Sequence, residues 1–106
     1  MVTVTFDKSG DARCIMSSGH CGAAPSGQDI FCAGISTLIC AIPPALKCRC
    51  TQYAAPGECI IRVDKPSESD IIILNAFERA IRAYASQFSR FVRVEDAPIF
   101  EKHIER

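Results

Sequence analysis

Ile73, Leu74, Phe77, Ala80, Ile81, Tyr84 and Phe88 recur at three- and four-residue steps, a spacing that an α-helix gathers onto one face. Asn75, Glu78, Arg79, Arg82 and Gln87 fill the opposite side. A helix patterned in this way must bury its stripe against another element, and a sheet face is the partner the rest of the chain offers. Val2, Val4 and Phe6 alternate with Thr3 and Thr5, which predicts a strand with one buried face. "DKSGD" at 7–11 is a turn signal, and "ARCIMSS" at 12–18 returns as a second strand. "LKCRCTQY" at 46–53 and "CIIRV" at 59–63 predict a second hairpin around the turn "AAPGE" at 54–58, and "RFVRVED" at 90–96 a last strand.

A second helix is expected from Gly27 or Gln28 to Ile42. Ser26 and Asp29 stand at capping-box spacing before it, and Pro43-Pro44 stops it because proline pushes its predecessor out of helical geometry. On a wheel, Phe31, Gly34, Ile35, Leu38 and Ile42 form an apolar arc; Asp29, Ala33, Ser36 and Cys40 form a small or polar one. The order β-β-α-β-β-α-β defines an α+β fold: two layers, a mixed or antiparallel sheet of about five strands, and two helices. If both helices share one sheet face, the other is either wet or covered by a partner subunit. The tail "APIFEKHIER", with His103, is a short helix or a frayed end. At 106 residues, the whole of 1–106 is expected to be one domain.

Formal net charge is zero, and Arg79, Arg82, Arg90 and Arg93 are scattered among carboxylates. Direct nucleic-acid binding and attachment to an anionic membrane, which favour a basic surplus, are therefore not expected. The start "MVTVTFDKSG" has no export signal, and the apolar run "DIIILNAF" is too short to span a bilayer. These features predict a cytoplasmic protein with reduced thiols. Seven cysteines, an odd number, cannot form a complete internal disulfide set. Cys48-x-Cys50 with Cys40 and Cys59 lacks the two pairs at two-to-four-residue spacing that zinc sites use, so a cysteine-lined patch of core or interface is expected rather than a metal. No phosphate-binding glycine loop is present, and no cofactor is expected.

The chemistry-bearing stretch is "GHCGAAPSGQDIFCAGIS" at 19–36. Cysteine catalysis requires the thiolate, which a histidine partner and a helix N-terminus both favour. Cys32 falls at the boundary of the two helical arcs, in the first or second turn of the expected helix. His20 heads the glycine-rich loop that leads into it, close enough in sequence to fold back onto the thiol. Free N–H groups at the helix start can serve as an oxyanion hole. Asp29, one turn before Cys32, either caps the helix or orients His20. Ser36, a turn beyond, either supports the site or fills tight packing. Gly19, Gly22 and Gly27 suit a loop that gates access. Spacing alone leaves a structural cysteine and a nucleophile both open.

"SGH" followed by "GQDIFCAGIS" resembles the ribosomal-processing cysteine proteases of bacteria, the Prp family. Gly19, His20, Gly27, Asp29, Ile30, Cys32, Ala33, Ile35 and Ser36 match the family pattern in order and spacing. The resemblance implies that Cys32 is the nucleophile and His20 its base. It also implies a cysteine endopeptidase that removes the N-terminal extension of a large-subunit ribosomal protein precursor, with a homodimeric assembly and a mobile loop between His20 and Cys32. Cys21 stands where the family usually has alanine, and Pro25 interrupts the loop. The alternatives are a non-catalytic ribosome-assembly or peptide-binding module, and a redox-sensing thiol protein built on Cys21 and Cys32.

Overall fold

The computed structural model describes residues 1–19, 30–55 and 57–99, with residues 30–33 described by their backbone. Strands β1 (Val2–Asp7) and β2 (Arg13–Gly19) precede helix α1 (Ile30–Ala45). Strands β3 (Thr51–Ala55) and β4 (Glu58–Val63) precede helix α2 (Glu68–Gln87), and β5 (Val92–Asp96) follows. The sheet order is β3-β4-β2-β1-β5. All neighbours are antiparallel except β1 and β5, which run parallel with Val2 opposite Val92. The expected α+β architecture of five strands in a mixed sheet and two helices is thus the observed one.

Register explains why both helices lie on the same sheet face. Val4 stands opposite Ser17 and Phe6 opposite Ile15, while Ile15 and Ser17 stand opposite Ile61 and Cys59. Because strand side chains alternate, these residues share one face. All but the buried Ser17 form a single core with Val92, with Ile35, Ile39 and Ile42 of α1, and with Leu74, Ile81 and Ala85 of α2. The other face is neither bare nor dependent on a partner subunit for all of its cover. Cys14 and Ile60 are buried there with Ile99, flanked by Met16 and Tyr53. The Ile99 N–H donates to Asp7 Oδ2 at 2.9 Å and the Ala97 N–H to the Phe6 carbonyl at 3.2 Å, so residues 97–99 are tied down rather than frayed. Burial drives the Cys14 thiol up to about 12, with the Asp7 charge adding to the effect, so this cysteine is an inert packing group. The remainder of the tail, including His103, lies outside the described residues.

Three local expectations are corrected. Helix α1 runs through Pro43 and Pro44 to Ala45. Proline's fixed φ suits a helix, and what it forfeits is the N–H bond to the carbonyl one turn back. Here that loss falls in the last turn, where the Leu46 N–H closes the helix onto the Pro43 carbonyl at 3.2 Å. The strand expected from residue 46 begins only at Thr51, because the Lys47 and Cys48 N–H groups donate to the Asp70 carboxylate instead of to a ladder. The buried line of α1 is Ile35, Ile39 and Ile42, whereas Leu38 is 48% exposed and Gly34 is also exposed.

Candidate active site

The sheet and its helices bring Gly19 and the N-terminal half of α1 to one end of the molecule. Cys40 of α1 lies over Cys59 of β4, which stands opposite Ser17, two residues before the end of β2. The other end of α1 leads to Lys47 and Cys48, held by Asp70 in the first turn of α2, beyond the far end of β4. Helix α1 therefore points its N-terminal half toward the end of the sheet where β2 finishes at Gly19. Cys32 is eight residues before Cys40, roughly 12 Å farther along the axis at 1.5 Å per residue. Its backbone belongs to α1, at the third described residue of that helix. The first turn of a helix is where N–H groups lack intrahelical acceptors, the local environment that thiolate chemistry uses.

Gly19 is the last described residue before His20, and its geometry strongly disfavours any residue with a Cβ. It has φ +88°, and a Cβ placed there would sit 2.7 Å from the Met1 carbonyl oxygen. Its N–H donates to the Gly57 carbonyl at 2.9 Å. Gly57, itself at φ +77°, turns β3 into β4 at the same end of the sheet. The start of β1, the end of β2 and the β3–β4 turn thus converge where the chain departs toward His20. Gly19→Ala is expected to cost about 1–3 kcal/mol in stability from backbone strain alone, and to displace the residue that follows. Thermal unfolding of the variant checks the first effect and its peptidase rate the second. The roles of Met1 and Gly57 here are not signalled by sequence spacing; only the glycine in "AAPGE" hints at the turn.

Ser36 is half-buried on α1, beside Ile35 in the core seam. His20, Gly22, Gly27 and Asp29 lie outside the described residues, as does the start of the helix expected at Gly27 or Gln28. Cys40 and Cys59 come together, with sulfurs 4.0 Å apart. Cys14, Cys40, Cys48, Cys50 and Cys59 are free thiols. Among the described residues no three His, Cys, Asp or Glu side chains are placed to hold a metal ion. No described helix is long and apolar enough to cross a membrane.

The family model for cysteine protease Prp matches residues 1–93, a span that includes both His20 and Cys32. Among solved structures, the essential ribosomal processing protease Prp from S. aureus, with a covalently linked product peptide, is 22% identical. That match covers 92% of this chain and 100% of the other, at a TM-score of 0.78. The same protein with a substrate peptide aligns at 21% identity over 92% and 100% of the two chains, with TM-score 0.75. SMU.848 from Streptococcus mutans aligns at 25% identity over 91% and 96%, with TM-score 0.71. A search of curated proteins returns no match.

Proposed function

This chain belongs to the cysteine protease Prp family, and from that premise we propose that Cys32 and His20 carry out its peptide cleavage. The chain is a cysteine protease; the residue roles are what the proposal adds. Cys32 attacks the scissile carbonyl, His20 accepts the thiol proton, and a thioester acyl-enzyme forms as the C–N bond breaks. His20 passes the proton to the leaving amine, then takes one from the water that hydrolyses the thioester. N–H groups at the start of α1 stabilise the oxyanion in both halves. The observation that carries this reading is the family match across 1–93, since it spans the one histidine and the one helix-start cysteine that the sequence pattern pairs.

The substrate is the N-terminal extension of a large-subunit ribosomal protein precursor. The S. aureus relative, a ribosomal processing protease seen with substrate and product peptides, supports that choice. The enzyme works as one domain, in a homodimer, in the cytoplasm. Five free thiols among the described residues fit a reducing compartment. The test is incubation with the extended ribosomal protein from the same genome. The expected result is a single cut that removes the extension, read by intact mass. Stoichiometric binding of the extended protein without cleavage would overturn the enzyme in favour of a binding module.

A further inference from the structure

Two thiols that the proposed catalysis does not use face each other across the main helix–sheet seam. Cys40 is exposed on α1, Cys59 is 4% exposed on β4, and their sulfurs are 4.0 Å apart. We infer that Cys40 and Cys59 are a redox pair, closed by a peroxide-class oxidant into a disulfide that staples α1 to β4. Three observations support this. The two sulfurs, from residues 19 apart in sequence, are already in contact across two elements, and closure must cover about 2 Å to reach a disulfide's length of about 2.05 Å. The pair is asymmetric: Cys40 is an exposed residue that an oxidant meets first from solvent, while Cys59 is buried. A third thiol in the same seam, Cys50, directs its Sγ to the Thr51 carbonyl at 3.6 Å.

The chemistry balances with peroxide as the only co-reactant. The Cys40 sulfur attacks one peroxide oxygen, the O–O bond breaks, and Cys40 becomes a sulfenic acid as one water leaves. The Cys59 sulfur then attacks the sulfenic sulfur. An S–S bond forms, the S–O bond breaks, and the Cys59 proton leaves on the hydroxyl as a second water. Burial and the neighbouring Cys40 push the Cys59 thiol up, so it holds its proton until the sulfenic acid is beside it. Cys40 lies beside Ile39, the residue of α1 most deeply buried in the core, so the bridge fixes the middle of the helix whose first turns carry Cys32.

The test uses Cys32→Ala protein, so that oxidation of the nucleophile does not contribute and no peptide cleavage enters the readout. The protein is treated with hydrogen peroxide, blocked with an alkylating agent and digested without reductant. Trypsin leaves Cys40 in 14–47 and Cys59 in 50–62, and each peptide holds other cysteines, so fragmentation of the linked pair must place the bond. The expected product is a Cys40–Cys59 bridge with two hydrogens lost, reversed by dithiothreitol and absent after a further Cys40→Ser change. Because Cys40 is exposed, that change leaves the core intact. A bond from Cys59 to Cys50, a bond from Cys40 to a second copy, or Cys40 fully oxidised while Cys59 stays alkylatable would each overturn the inference.

Discussion

Cys32→Ala is expected to lose peptide cleavage by on the order of 10⁴-fold or more, and His20→Ala by on the order of 10²–10⁴-fold. The asymmetry follows from their roles. Without a nucleophilic sulfur no acyl-enzyme forms, and what remains is bound peptide held near polar N–H groups. Without the imidazole, a small thiolate population still attacks, slowly, and the leaving amine must find its proton in solvent. Removing both should cost little more than removing Cys32 alone, since two groups acting in one step are not additive. Single-turnover cleavage of a fluorogenic peptide taken from the ribosomal protein's extension measures this. Circular dichroism and thermal unfolding of each variant separate lost chemistry from lost folding. Cys32→Ala protein that cuts at the wild-type rate would remove Cys32 from the mechanism, and Cys21, its nearest rival beside His20, would become the thiol to examine.

The parts of this fold that could be read from sequence are those in which local pattern and tertiary demand coincide. Val2, Val4 and Phe6 alternate because one face of β1 is covered, and they are buried. The stripe through Leu74 and Ile81 predicted the buried line of α2, although Ala80 on the same stripe proved exposed. Helix α1 was harder, because "IFCAGISTLICAI" is apolar nearly all round. Period alone then leaves the sector that meets the sheet undefined: the wheel favours Leu38 inward, whereas Ile39 is the buried residue and Leu38 is exposed. Segment 46–50 alternates like a strand, but its backbone donors are claimed by a carboxylate 22 and 23 residues away, which no local pattern records. In the site, glycine before histidine was visible, whereas its cause, the carbonyl of Met1, is a contact between chain segments. Ser67-x-x-Asp70, a capping box at the start of α2, is legible in the sequence.

Asp70→Ala is expected to lower the melting temperature by roughly 10 °C or more. Asp70 is 0% exposed, yet it is a carboxylate. It is tolerated because its oxygens collect backbone donors from two places at once: Lys47 at 2.7 Å and Cys48 at 3.1 Å beyond α1, and Ser67 at 3.0 Å at the N-cap of α2. Its own N–H donates to Ser67 Oγ at 3.2 Å, and its charge sits in the first turn of α2, where the helix dipole favours it. Alanine would leave these donors without acceptors at a closed junction. It would also release the connection that fixes the C-terminal end of α1, the helix whose other end bears Cys32. Asp70→Asn keeps one acceptor oxygen but turns an NH2 toward N–H donors, and should fall between the two. The pH dependence gives an independent check. Burial alone would raise the carboxyl, but the hydrogen bonds from Lys47 and Ser67, then those from Cys48 and the Ser67 side chain, outweigh it and hold it well below the usual carboxylate range. A depressed folded-state pKa adds stability above the unfolded value of about 3.9, and that contribution drains away as pH falls toward the folded value. Urea unfolding of wild type between neutral pH and about pH 3 should therefore show a midpoint that drops below about pH 4. The same series on Asp70→Asn should start lower and slope less. Equal midpoints at neutral pH, or parallel slopes in acid, would mean that the junction is held by something other than this carboxylate.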